Sequence, residues 1–351
     1  MVDNDLLIPY GWNEAVSDYY TPLVTPGSVP ARVIRMDRGE CDVASPTGPA
    51  RARCSRSDSE LGGLCTGDWV TLEVGTDEPT VRQLLPRRSA IMRSSVSGRS
   101  EGQVLAANVD TVLICTAADG DVDLGRIERM LALAWESNAK PVVVLTKADA
   151  AEFIPLDEVR AVAPGATAVA VSASTGAGLD VLTALLDGTV ALIGPSGAGK
   201  STLANALLGA EVFATSAVRS VDKKGRHTTV HRELRPLPTG GTLIDTPGLR
   251  GIGLWDASDG IERTFSDIES FARHCRFADC AHDSEPGCAV LAAIEVGELT
   301  QRRFDNYRKL GRENDRMLAR TDKRLQAERN RAWRDISKQQ RQHYRDRNSR
   351  R

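Results

Sequence analysis

The chain changes its rhythm of apolar and polar positions along its length. From residue 31 to 86, short apolar runs are cut by turn signals. Ala31–Met36 stops at Asp37-Arg38-Gly39, and Glu40–Ala44 stops at Pro46-Thr47-Gly48. Ala50–Cys54, Trp69–Val74 and Thr80–Leu85 complete the series. Short strands at even spacing predict a small β-barrel, because closure hides the strand edges. Over 31–88 an OB-fold is the first expectation and an SH3-like barrel the second. Residues 1–30, with Pro9, Pro22, Pro26 and Pro30, are expected to form an irregular arm, and 89–105 a polar linker.

Over 106–260 strand and helix patterns alternate. Thr111–Cys115, Pro141–Leu145, Ala166–Val171, Thr189–Ile193 and Thr242–Ile244 read as strands. Leu124–Trp135 places Leu124, Ile127, Leu131, Ala134 and Trp135 on one helical face, and Leu179–Leu186 and Lys200–Leu208 follow as helices. Gly209 closes the last of these. Apolar strands alternating with helices predict an α/β unit with a parallel sheet covered on both faces. Helical spacing returns at 298–320, through Leu299, Phe304, Tyr307 and Leu310.

Composition adds a charge split. The 351 residues are 41% hydrophobic and 26% charged, which excludes a mainly disordered or membrane-spanning chain. The net charge of -2 divides into +11 over 301–351 and -13 over the remainder. A basic end, with Trp333 and Tyr344 among its arginines, is expected to bind a polyanion. Asp3, Asp5, Glu14 and Asp18 in the first twenty residues argue against a signal peptide. Seven cysteines make no disulfide framework, so a reducing cytoplasm is expected.

Gly194-Pro195-Ser196-Gly197-Ala198-Gly199-Lys200-Ser201 matches G-x-x-x-x-G-K-[ST] between a strand and a helix. Glycines let backbone N–H groups curl around phosphates, and the helix N-terminus adds positive potential. Gly194, Gly197, Ala198, Gly199, Lys200, Ser201 and Thr202 are the expected phosphate contacts, with Lys200 on the β- and γ-phosphates and Ser201 on Mg²⁺. Asp245-Thr246-Pro247-Gly248 ends a further strand: Asp245 is placed to hold Mg²⁺ and Gly248 to meet the γ-phosphate. In the intervening loop Thr229, with Thr228 as alternative, is expected to complete the Mg²⁺ shell.

Thr146-Lys147-Ala148-Asp149 follows a strand, and Asp149 is suited to accept from guanine N1–H and N2–H₂. Adenine lacks that donor pair, so the carboxylate selects GTP. The Lys147 stem is placed to cover the base, and the Ala173 N–H of Ser172-Ala173 to meet guanine O6. These are the motifs of a GTPase in rotated order, base-reading pair first and phosphate-binding set second. Joined old termini and new surface ends permit the same sheet.

The Cys275-x4-Cys280-x-His282-x5-Cys288 run supplies the three thiolates and one imidazole of a closed tetrahedral zinc site, with His274 a competing ligand. The rotated order, the His227-Thr228-Thr229 loop, the preceding barrel and this cluster resemble the RsgA family, circularly permuted GTPases of small ribosomal subunit maturation. The likeness spans about residues 31–300. It implies an N-terminal OB-fold barrel, a central permuted α/β P-loop GTPase at 106–260, a zinc-binding helical module at 261–300 and a basic helical tail at 301–351. It favours His282 over His274 as ligand to one structural Zn²⁺. It implies hydrolysis of GTP to GDP stimulated by the small subunit, in late maturation, by a monomer that contacts rRNA and no membrane.

Two departures from common GTPases stand out: Thr146 replaces the usual Asn, and Leu249 the usual water-orienting Gln. Leu249 predicts slow intrinsic hydrolysis, with His227 as the candidate that orients water. The alternatives are a P-loop ATPase, against which T-K-x-D argues, and a GTP-dependent RNA-binding module with little turnover.

Overall fold

A computed structural model describes residues 4–54, 63–75, 78–94, 102–213, 232–245 and 253–319. The basic tail from residue 320 lies outside them. Five strands, β1 (Ser28–Met36), β2 (Glu40–Ser45), β3 (Gly48–Cys54), β4 (Trp69–Glu73) and β5 (Thr80–Leu84), run in the spatial order β1-β2-β3-β5-β4. Pairing of β1 with β4 closes the barrel, and β3 meets β5 in parallel at Arg53↔Thr80 and Cys54↔Val81. Of the two expected barrels this order is that of the OB-fold. Alternate residues, among them Val33, Val43, Val70, Leu72 and Val81, point inward and are fully buried.

From residue 4 to 27 the expected arm is folded rather than irregular. Asp5–Tyr10 forms a 3₁₀ helix and α1 spans Glu14–Tyr20, where the Asn13 side chain accepts from the Val16 N–H at 3.0 Å. Proline was misleading as a signal, because Pro22 starts a short 3₁₀ turn, where its missing N–H is not needed. Leu7 and Val16 pack against Trp69 and Leu85 of the barrel.

The expected linker also contains regular structure. β6 (Ala90–Ser94) pairs antiparallel with β7 (Gly102–Ala107), and Ile91, Leu105 and Ala106 enter the core. Their polar neighbours Arg87, Arg88, Ser94 and Gln103 hide this alternation in the sequence.

The central sheet contains β8 (Thr111–Ala117), β9 (Lys140–Thr146), β10 (Thr167–Ala170), β11 (Thr189–Ile193), β12 (Glu233–Pro236) and β13 (Thr242–Asp245). Its order is β10-β9-β8-β11-β13-β12, parallel except that β12 runs antiparallel to β13. Four helices, α2 (Leu124–Glu136), α3 (Leu156–Val162), α4 (Leu179–Ala184) and α5 (Lys200–Leu208), complete the alternation. Separate apolar cores lie on the two faces, one around Ile114, Leu131 and Val143, the other around Leu192, Leu203 and Leu243. The chain adds β9 and β10 on one side of β8 and then returns to place β11 on the other. That reversal opens a crevice at the strand C-termini, the place where such sheets bind ligands.

Arg32 of the barrel sits at the joint with this sheet and is 1% exposed. Its Nη1 donates to the Tyr10 carbonyl and its Nη2 to Thr189 Oγ1, both at 3.0 Å, and its guanidinium lies over Trp69. Burial pulls its pKa down to about 10 against the opposing carboxylates of Asp110 and Asp68, so it remains charged at neutral pH.

Past the central sheet come helices Ser258–Thr264, Ser266–Ala272 and Ala289–Glu295, and a helix over 301–319. The expected boundary at 260/261 falls inside the first of these, whose Gly260 N–H donates to Glu136 of α2 at 2.9 Å. Glu128 of α2 is fully buried and accepts from Arg302, Arg303 and Asn306. Arg303 also grips Asp267 and the Thr264 carbonyl. Arg129 Nη1 and Nη2 donate to the two carboxylate oxygens of Glu313, each at 2.6 Å. Among the described residues no helix is long and apolar enough to cross a membrane.

Candidate functional site

The phosphate loop lies between β11 and α5, on the crevice. Gly194 has φ 150°, and a Cβ there would stand 2.3 Å from the Cys115 carbonyl oxygen of β8. Only glycine lets the loop cross its neighbour so closely. Lys200 opens α5 and is buried, with Nζ donating to the Gly194 and Pro195 carbonyls at 3.0 and 2.8 Å. Its ammonium is thus held inside the loop that the motif assigns to phosphates. Ser201 Oγ lies 3.2 Å from Asp245 Oδ2 at the end of β13. The two oxygen ligands expected for Mg²⁺ therefore meet, which fits the preference of a hard cation for oxygen. Thr202 and Gly197 are exposed, and Ala198 and Gly199 lie against the β9 end.

The base-reading motifs occupy the next strand ends along the same edge. Thr146 Oγ1, at the end of β9, is 2.9 Å from the Ala198 carbonyl and 3.2 Å from the Thr116 carbonyl. The hydroxyl that replaces the usual Asn thus binds the two halves of the rotated site directly. Lys147 adopts left-handed backbone at φ 56°, and its Nζ meets Asp119 Oδ2 at 2.8 Å. Asp149 is exposed in the turn Ala148–Ala150. Ser174 Oγ donates to Asp149 Oδ2 at 2.8 Å and lies 3.0 Å from Ser172 Oγ, which also accepts the Thr175 N–H. Hydrogen bonding from Ser172 and Ser174 holds the Asp149 carboxyl below the usual aspartate range. Ala173 lies in the same turn, beside the buried Ser172.

Thr228, Thr229, His227, Gly248 and Leu249 lie outside the described residues. Two side chains at the site had no motif to announce them. Asp119 belongs to an acidic run with Asp121 and Asp123 that reads as a solvated loop, and Ser174 as an ordinary turn residue.

Cys275, Cys280, His282 and Cys288 converge, with their candidate ligand atoms all within 4.8 Å of one another. His282 Nδ1 is 3.6 Å from Cys275 Sγ and 3.3 Å from Cys288 Sγ, and the two sulfurs are 3.9 Å apart. A tetrahedral zinc with Zn–S near 2.3 Å and Zn–N near 2.0 Å requires edges of ~3.5–3.8 Å, close to the spacing of Cys275, His282 and Cys288, and the chemistry of three thiols and an imidazole suits that ion. His274 turns instead to the Ser270 carbonyl. The Glu285 carboxylate accepts backbone N–H bonds from its own amide and from Ala281, Ser284 and Asp283, which hold its pKa down at about 2 and brace the loop. Asp283 pairs with Arg308, and the His282 ring meets Phe304, so the loop is pinned to the helix over 301–319.

A lysine-bearing loop at a helix N-terminus, an oxygen pair suited to a cation and a carboxylate held by a serine on one sheet edge suit a guanine nucleotide triphosphate. Comparisons with known proteins agree with that chemistry. Residues 84–255 match the family described as RsgA GTPase. The chain is 54% identical over 338 residues to the small ribosomal subunit biogenesis GTPase RsgA of Streptomyces avermitilis, covering 93% of this chain and 90% of that protein. The protein of that name from Streptomyces coelicolor is 52% identical, over 93% and 91% of the two chains. Among solved structures, YjeQ from Thermotoga maritima aligns with TM-score 0.59 at 24% identity, over 82% of this chain and 98% of its own. YloQ, described as a circularly permuted GTPase, aligns with TM-score 0.57 at 23% identity, over 82% and 96%.

Proposed function

The chain belongs to the RsgA family of small ribosomal subunit biogenesis GTPases and is a GTP hydrolase, and from that premise we propose which of its residues do the work. Asp149 selects guanine, held for the task by Ser172 and Ser174, while the Lys147 stem covers the base. Ala173 offers its N–H to guanine O6. The backbone of Gly194, Gly197, Ala198 and Gly199 receives the phosphates at the start of α5. Lys200 exchanges its two carbonyl partners for the β- and γ-phosphates, and Thr202 flanks the α-phosphate side.

Ser201, Asp245 and Thr229 hold Mg²⁺, which when bound neutralises charge on the β- and γ-phosphate oxygens. Gly248 meets the γ-phosphate, and His227 orients the attacking water in place of the absent Gln. Cys275, Cys280, His282 and Cys288 hold one structural Zn²⁺, with no ligand position left open.

The GTP-bound protein acts on the immature small subunit in the cytoplasm, as a monomer, in late maturation. Its barrel, zinc module and basic tail contact rRNA, and the subunit stimulates hydrolysis. After hydrolysis the Thr229 loop relaxes and affinity falls. The observation that carries this reading is the Thr146–Ala198 hydrogen bond, which joins the guanine half of the rotated site to its phosphate half.

The deciding experiment measures GTP and ATP turnover with and without purified small subunits. Strong stimulation of GTP turnover alone is expected. Turnover unchanged by subunits would leave a GTP-dependent binding module as the better reading.

A further inference from the structure

The barrel is the part of the chain whose class most often binds RNA, yet its described cations are largely occupied. Arg51 reaches Asp37, Glu40 and Asp42, and Arg35 reaches Asp42. A cation so paired gives little to a phosphate, because its field is already neutralised.

The zinc loop differs. Arg273, Arg276 and Phe277 are all exposed there, Phe277 by 41%. Neither arginine has a carboxylate partner among the described residues. The loop's own acids are largely engaged elsewhere, Asp283 by Arg308 and Glu285 by backbone N–H groups. Asp279 remains exposed nearby.

A single exposed phenylalanine is ordinary on a protein surface. This one comes with a companion. The Arg276 guanidinium carbon lies 5.5 Å from the Phe277 ring centroid. The Arg276 stem in turn lies across Gly287: a Cβ added there would meet Arg276 Cβ at 3.1 Å and Cδ at 3.4 Å. Gly287 also accepts the Arg276 N–H through its carbonyl at 3.1 Å. Gly287 is the residue before the ligand Cys288, so the site that collects the ligands also holds this side chain in place.

We propose that Phe277 and Arg276 form a stacking platform for an unpaired RNA base, with Arg273 and Arg276 on the flanking phosphates. The proposal rests on the reading above that RNA is the partner. Any base offers a π-face to an aromatic ring, so such stacking tolerates any sequence. Arginine beside the ring adds a planar cation that both stacks and binds phosphate. Duplex RNA keeps its bases stacked and would use only the arginines.

The test uses the full-length protein with a fluorescent single-stranded RNA oligonucleotide, a duplex of the same sequence, and purified small subunits. Zinc content and GDP affinity serve as controls for folding. Phe277→Ala is expected to weaken single-strand binding about tenfold, leave duplex binding unchanged, and be rescued by Phe277→Trp. Arg273→Gln and Arg276→Gln are each expected to lower the salt slope of binding by about one. If the wild type binds RNA and Phe277→Ala binds equally well, the platform is wrong while the RNA reading stands. If the wild type binds no RNA at low salt, both fail. Loss of subunit affinity with unchanged oligonucleotide binding would assign the surface to a protein and overturn the proposal.

Discussion

The Thr146 hydroxyl lies 2.9 Å from the carbonyl oxygen of Ala198, fifty-two residues later in the chain. Through it the guanine-side strand β9 grips the phosphate loop. Thr146→Val keeps the shape and removes the donor, leaving a buried carbonyl without its partner. Such a loss costs about 1–3 kcal/mol. KM for GTP is expected to rise about tenfold with kcat nearly unchanged, and steady-state kinetics with GTP check it. An unchanged KM would mean that the bond does not shape the site.

Asp119 and Lys147 make a weaker connection. Their side chains are 35% and 40% exposed, so the pair contributes no more than about 1 kcal/mol. Asp119→Asn is expected to raise KM for GTP about threefold at low salt, an effect that fades near 0.5 M salt as screening removes it. Titration of KM against ionic strength is the measurement.

Acid dependence follows from Asp149. Its folded-state pKa is depressed by hydrogen bonds from Ser172 and Ser174. A depressed carboxylate contributes above its unfolded value, near 3.9, and that contribution is lost as pH falls through the lower folded value. Guanine binding should therefore not fail through Asp149 between pH 8 and about 5. Ser174→Ala returns the pKa toward its ordinary value and should move the acid limb of GDP binding to higher pH. A fluorescent GDP analogue titrated across pH reads the shift, and coincident curves would remove Ser174 from this role.

One zinc per chain is expected by metal analysis. Cys280→Ser should release it and abolish hydrogen-exchange protection over 275–288. GDP affinity should stay near the wild-type value, because the proposed nucleotide site draws on α5 and the ends of β9, β11 and β13. Loss of GDP binding on zinc removal would show that the two sites depend on each other.

Arg303 is 4% exposed and joins Glu128 of α2 to Asp267. Arg303→Met leaves Glu128 with a buried charge only partly compensated, a change that costs about 3–5 kcal/mol. Exchange protection of the helices over 258–319 is expected to fall far more than that of the central sheet. Equal loss in both would mark the network as a general stabiliser rather than the clamp between modules.

Much of the site was legible because phosphate and guanine recognition use short contiguous motifs. Gly194 to Ser201 and Thr146 to Asp149 are each contiguous runs, so spacing alone singles them out as candidates. The Cys/His cluster is likewise local, within fourteen residues. Strand boundaries in the barrel and central sheet followed the apolar alternation closely. The folded arm, the β6–β7 pair, α3 and β12 escaped because short elements give weak periodicity, and their order comes from docking Leu7, Ile91, Leu105, Val159 and Leu234 into cores built elsewhere.

By itself the amino-acid sequence determined the barrel, the alternating sheet, the nucleotide motifs in rotated order and the Cys/His cluster, since each depends on residues close together in the chain. Only tertiary structure decided which barrel closure forms, through β1–β4 and β3–β5 pairing. It alone brought Thr146 to Ala198, Lys147 to Asp119, Arg32 to Thr189 and Glu128 to Arg303. Such pairs form where strand order and helix packing bring distant segments together, and no local pattern of charge or hydropathy encodes that order. Burial then decides their weight: Glu128 and Arg32, out of water, hold modules together, whereas Asp119, half in water, tunes one side chain.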